Sequence, residues 1–129
     1  MQTLSLTVFI IFFTVLAFSS PQKIPDGFLE VKNLNGNRLF ANKNKNIFIG
    51  VKRQTQSQKD SYKMLQYFNN RVIINHTTSY YSLNSAQNAI ARIYFKVHES
   101  QLVQATITMQ SNSKNETLDL DKTIMPFLE

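Results

Sequence analysis

The stretch Ile90-Ala91-Arg92-Ile93-Tyr94-Phe95-Lys96-Val97 decides the fold, because apolar side chains recur in it at every second position. A period of two is typical of a β-strand and places Arg92 and Lys96 on one face. The other face is apolar and carries Ala91, Ile93, Phe95 and Val97. The pattern predicts a half-buried strand.

The segment 102–110 repeats this alternation, with an apolar set that we expect to point inward: Val103, Ala105, Ile107 and Met109. Residues 98–101 lie between the two segments and have the length of a short hairpin loop. The two strands are therefore predicted to form an antiparallel hairpin.

A second hairpin is predicted nearer the start of the chain. Residues 28–32 and 38–41 flank Asn35-Gly36-Asn37, and Asn-Gly readily adopts the positive φ angles that tight hairpin turns need. Residues 47–51 and the β-branched segment 71–75 predict two further strands.

Three intervening segments are less regular. Residues 54–61 are very polar and are expected to form an exposed loop, and 62–68 fit either a strand or one helical turn. Residues 78–89 are interpreted as an irregular connection. Together these patterns predict an all-β fold, a single antiparallel β-sandwich or meander-type domain.

The tail, residues 112–129, has a different character. Asp119 and Asp121 alternate with leucines, and the short apolar patch 124–128 is interrupted by Pro126. On a strand the two aspartates would share one side. We expect the tail to dock as an edge segment. The alternatives are a mobile or loosely docked tail, or an apolar end that self-associates or captures a partner.

Residues 1–19 resemble a cleaved signal peptide, because an apolar run is followed by the small-residue step Ala17-Phe18-Ser19. The alternative is a membrane anchor, for which about 20 apolar residues are usual, and this run is shorter. The preferred cut follows Ser19, so residues 20–129 are expected to form one secreted domain without a membrane span.

Two sequons agree with export, since Asn-X-Thr is the acceptor motif for glycosylation in secreted proteins. They are Asn75-His76-Thr77 and Asn115-Glu116-Thr117. We expect Asn75 and Asn115 to lie on the surface of a glycoprotein.

The chain is basic, with a formal net charge of +6, and residues 23–71 carry ten of its basic residues but only three of its acids. Such a surface attracts polyanions outside the cell. The tightest basic groups form the predicted anion-binding surface: Lys43, Lys45, Lys52 and Arg53. The alternative is that these charges only keep the protein soluble.

Several chemistries are excluded or weakly supported. The chain has no cysteine, which excludes disulfide scaffolds, thiol enzymes and cysteine-ligated metals. Three glycines leave no phosphate-binding loop, no nucleic-acid motif is present, and we expect no cofactor and no metal site. His98 and Glu99 form the one reasonable acid–base pair, and Asp119 with Asp121 would bind a cation only weakly.

The order of turn and strands is similar to that of a secreted insect family, the one named after multiprotein bridging factor two. The similarity is carried by Asn35-Gly36-Asn37-Arg38-Leu39-Phe40 and by the segments 88–96 and 102–108. Because the founding member of that family is described as a transcriptional co-activator, the resemblance loosely implies such a role.

These observations favour a secreted, non-enzymatic binding or effector protein whose partner is an extracellular protein or a polyanion. Two alternatives remain. One is the co-activator-like role that the resemblance implies, and the other is a secreted enzyme of unfamiliar type that uses His98 and Glu99.

Overall fold

Seven strands pair into one antiparallel sheet in the computed structural model, which describes residues 24–83, 89–110 and 119–129. The strands are β1 (Leu29–Leu34), β2 (Asn37–Asn42), β3 (Ile47–Thr55), β4 (Val72–Ile73), β5 (Thr78–Leu83), β6 (Ala89–Val97) and β7 (Gln101–Gln110). Two helices accompany them, α1 (Gln58–Leu65) and α2 (Leu120–Leu128). The predicted signal peptide and the Asn115 sequon lie outside the described residues.

The sheet joins two meanders in the order β1-β2-β3-β7-β6-β5-β4. In each meander consecutive strands pair, and the last strand of each, β3 or β7, lies at the centre. Both predicted hairpins are confirmed: Asn35 and Gly36 take φ angles of 54° and 84° between β1 and β2, and β6 pairs with β7 from Val97↔Leu102 onward. The all-β, antiparallel prediction is confirmed, and of the two forms it left open the described residues show a single sheet.

The sheet has two packed faces, and its register assigns each side chain to one of them. The first face carries Ile49, Tyr94 and Ile107, and the second face carries Phe48, Phe95 and Leu102. Because Tyr94 is 0% exposed and Phe95 only 2%, strand β6 is buried on both sides. The prediction that it is half-buried is therefore wrong.

Helix α2 covers the first face, so residues 119–129 dock as expected but do so as a helix. The predictions of an edge segment and of a mobile or loosely docked tail are wrong for these residues. Ile124 and Leu128 are fully buried against the sheet, and the Phe127 ring lies 5.0 Å from that of Phe40. The Asp119 carboxylate accepts a hydrogen bond from the Lys122 backbone N–H and caps the helix. Asp119 and Asp121 are thus helix-terminal residues and do not share one side of a strand.

Asp121 joins α2 to the sheet through two contacts. Its carboxylate accepts a hydrogen bond of 2.5 Å from the Tyr94 hydroxyl and lies 3.4 Å from the Arg92 guanidinium. The Arg92 guanidinium also lies over the ring of Tyr80. Burial, followed by the hydrogen bond to Asp121, raises the pKa of Tyr94.

Helix α1 packs on the second face, where residues 54–61 had predicted an exposed loop. The prediction is wrong because β3 continues to Thr55, paired with Gln101 of the long strand β7, and α1 starts at Gln58. The Ser57 hydroxyl caps α1 by accepting a hydrogen bond from the Asp60 backbone N–H. Of the alternatives for 62–68, the helix is observed as far as Leu65, whose side chain is 2% exposed.

Two strand boundaries also differ from the predictions. Only Val72 and Ile73 of segment 71–75 pair, forming β4 at the sheet edge. Residues 78–83 form β5 and are not an irregular connection. The adjacent side chains of Tyr80 and Tyr81 pack on opposite faces of the sheet, so the sequence shows no alternation of apolar and polar residues there. Residues 84–88 of the predicted connection lie outside the described part.

Candidate binding face

The part of the second face that α1 leaves uncovered is the candidate binding site, and we call it the open face. Within the described chain it spans β1, β2 and β3 and the adjoining ends of β7, β6 and β5. By register its residues are Leu29, Lys32, Leu34, Leu39, Ala41, Phe48, Gly50, Lys52, Leu83, Ala91, Thr106 and Thr108, of which Ala41 is buried.

One line of side chains crosses the open face from strand to strand. The register pairs its members in turn, and we call them the apolar row: Leu29, Ala41, Phe48, Thr108, Ala91 and Leu83. Leu29, Phe48 and Leu83 are 66%, 48% and 38% exposed. With strands about 4.8 Å apart, the row is about 24 Å long. Between these three side chains lie the buried Ala41, the half-buried Ala91 and the polar Thr108. Three large exposed apolar side chains in one row of a sheet favour an interaction site.

A groove of about 370 Å³ lies beside the apolar row. Gly50 helps to line it, and a Cβ atom at this position would meet no heavy atom of the described chain within 4 Å. Glycine inside a strand often marks a place where another molecule approaches the backbone. The other lining residues are Lys32, Leu34, Asn37, Arg38, Leu39, Val51, Lys52, Gln104 and Thr106.

The charge of the groove is positive. Lys32 and Lys52 are exposed, and no carboxylate is among the described residues that line the groove. The nearby Arg38 guanidinium binds both carboxylate oxygens of Glu30 at 2.7 Å on the first face. The two lysines are consequently the positive charges that the groove offers to a ligand.

The structure separates the four residues of the predicted anion-binding surface. Lys43 and Lys45 lie exposed in the loop between β2 and β3, and Lys52 lies on the open face. Arg53 lies on the first face, because neighbouring residues in a strand point to opposite sides. Lys52 therefore lies on the open face, Lys43 and Lys45 lie at the end of the sheet where β3 begins, and Arg53 lies on the other face.

Arg53 is held by contacts within the protein. Its guanidinium donates hydrogen bonds to the Gln101 side chain at 3.3 Å and to the Glu129 backbone carbonyl at the end of α2. Burial lowers the pKa of Arg53. We therefore assign it to the contact between α2 and the sheet.

Asn75 lies exposed in the turn between β4 and β5, as expected for a sequon on the surface. Its side-chain oxygen accepts hydrogen bonds from the Thr77 N–H, the Thr77 hydroxyl and the Thr78 N–H. The turn borders a second cavity of about 230 Å³, which Tyr62, Arg71 and His76 help to line.

The residues considered for acid–base or metal chemistry lie away from the groove. His98 Nε2 is 3.3 Å from the Leu128 carbonyl, and the Glu99 carbonyl accepts a hydrogen bond from the Gln58 N–H. Both residues therefore connect helices to the hairpin between β6 and β7. Across residues 24–83, 89–110 and 119–129, no cluster of three or more His, Asp or Glu side chains is placed to hold a metal ion.

Sequence reasoning had missed Phe48 and Gly50 as site residues. The alternation Phe48, Gly50, Lys52 carried a signal, because a glycine inside a strand pattern indicates a close approach. What the sequence could not show is that β1 would place Lys32 in the same groove, paired with Leu39 of β2, which in turn pairs with Gly50.

Comparison with known proteins gives the fold alone. No protein-family model matches the chain, and no curated protein matches it. A crystal structure of a protein from Bacteroides thetaiotaomicron VPI-5482 is similar, with a TM-score of 0.57 and 12% identity. The similarity covers 75% of this chain but 42% of that one. Neither helix of the described residues has the length and apolar character needed to span a membrane.

Proposed function

We propose that this chain is an exported, non-enzymatic binding protein that engages an acidic partner outside the cell through its open face. One observation carries the proposal: exposed apolar side chains and lysines share this face, and the groove between them is lined without a carboxylate among the described residues. Export is supported by the signal-like residues 1–19 and by the exposed Asn75 sequon.

The test is whether charge on the open face matters more than charge elsewhere. Lys52→Glu on the open face is compared with Lys122→Glu, an exposed lysine on α2 at the opposite face. Both variants change the net charge by the same amount. On immobilised heparin, we expect Lys52→Glu to elute at clearly lower salt than Lys122→Glu. Equal elution of the two variants, or no retention of the unmodified protein, contradicts the proposal.

A further inference from the structure

We infer that the open face binds an amphipathic helix of a partner protein, with acidic residues on both sides of the helix's apolar face. This inference rests on the proposed function and names the partner. It is drawn from the length of the apolar row, from the positions of the lysines around it, and from the way the opposite face of the same sheet is covered.

The length of the apolar row fits a helix. At a rise of 1.5 Å per residue, a helix of about 16 residues spans the roughly 24 Å between Leu29 and Leu83. Side chains two positions apart on a strand lie about 7 Å apart, so a helix about 10 Å wide covers the row and the adjoining residues Leu39 and Gly50. The small residues Gly50 and Ala91 allow its side chains to approach the sheet, whereas Ala41 is only 4% exposed.

Lysines lie on both sides of the apolar row along the strand direction. Lys52 is four residues beyond Phe48 on the same face, and Lys32 lies on that side in β1. Lys43 and Lys45 lie on the other side, in the loop that leads into β3. Acidic residues on both flanks of a docked helix would therefore meet positive charge.

The first face shows that this sheet accepts a helix. There α2 places Leu120, Ile124 and Leu128 against β3, β6 and β7, the strands whose other side contributes to the apolar row. A second copy of this chain is a poorer occupant of the open face, because it would bring the same lysines against Lys32 and Lys52.

The experiment uses a synthetic 16-residue peptide with leucines at helical spacing, glutamates on both flanks and one central tryptophan. Because the protein contains no tryptophan, the emission of the peptide reports burial of its apolar face. The control peptide has the same composition in a scrambled order. We expect a blue shift and at least tenfold tighter binding for the amphipathic peptide.

Variants locate the binding on the open face. Phe48→Ser removes the centre of the apolar row, and Gly50→Leu places a side chain in the groove where a Cβ has space. Each is expected to weaken peptide binding about tenfold. Tyr67→Ser, at an 80% exposed aromatic residue outside the face, is expected to change nothing. Unchanged urea midpoints show that the variants remain folded.

The outcomes separate this inference from the proposed function. Equal binding of the two peptides overturns the inference and leaves charge-driven binding in place. Absence of peptide binding with continued heparin retention also overturns it, and loss of both contradicts the proposed function as well. Dimers in sedimentation that Phe48→Ser abolishes would assign the open face to a second copy. Displacement of the peptide by phosphatidylserine vesicles would assign it to a lipid surface.

Discussion

Glu30 on β1 and Arg38 on β2 form an ion pair that stabilises an otherwise exposed edge of the sheet. Two hydrogen bonds of 2.7 Å join the side chains, and the Arg38 guanidinium also lies 5.0 Å from the ring centre of Phe40. The hydrogen bond from Arg38 lowers the pKa of Glu30 below its usual range. The native carboxylate thus binds a proton less readily than the unfolded one.

This difference predicts a stability that depends on pH. A lowered native pKa adds stability above the unfolded pKa of about 4.3, and that stability is lost as the pH falls through the lower native pKa. Glu30→Gln, which does not titrate, is expected to lower the free energy of unfolding by about 1 kcal/mol at pH 6.5. At pH 3, the free energies of unfolding of Glu30→Gln and of the unmodified protein should differ by less than at pH 6.5. Urea unfolding at both pH values measures this, and a difference that stays constant contradicts it.

At the scale of the element, α2 shows how a short helix completes a core. Its buried residues are Leu120, Ile124, Phe127 and Leu128, a spacing that places them on one side of a helix. Pro126 removes one backbone N–H, and a proline in a short apolar segment favours an edge segment or a mobile tail over a helix. Burial of the apolar side against the sheet outweighs that loss, because all four of these side chains belong to the first-face core.

Docking of α2 predicts a large effect at its centre. Ile124→Ala is expected to lower the free energy of unfolding by about 3 kcal/mol, because it leaves a cavity at a fully buried position. Lys122→Ala, on the exposed side of the same helix, should change it by less than about 0.5 kcal/mol. Urea titration followed by far-ultraviolet circular dichroism measures both. Equal effects of the two substitutions would show that the tail is not part of the core.

Elements with a period of two were predictable from the sequence, and those that depend on tertiary packing were not. Strands β3, β6 and β7 follow local patterns, because each is long and has an apolar face. The β1–β2 turn follows from its Asn-Gly pair. Helix α1 buries little more than Ser61 and Leu65, so its polar sequence resembled a loop. Strand β5 was hidden because Tyr80 and Tyr81 pack on different faces of the sheet.

At the scale of the molecule, the candidate site depends on a property that no segment shows alone. The sheet is packed on both faces, with α2 over the first and α1 over only part of the second. Lys52 and Arg53 are adjacent in sequence yet lie on opposite faces, whereas Lys32 reaches the groove from twenty positions earlier. Charge density along the sequence therefore located the region but not the surface.

The arrangement of the molecule also leads to a prediction about glycosylation. Asn75 lies in the turn next to β4, at the edge of the sheet opposite β1, so a glycan there would leave the groove accessible. In protein recovered from the medium of eukaryotic cells, we expect Asn75→Gln and Thr77→Ala each to remove one glycan from the mass. Asn44→Gln, at an exposed asparagine outside a sequon, should keep the mass of the glycosylated protein. If Asn75→Gln leaves the number of glycans unchanged, the Asn75 sequon is not glycosylated. If the unmodified chain does not reach the medium, export itself is contradicted.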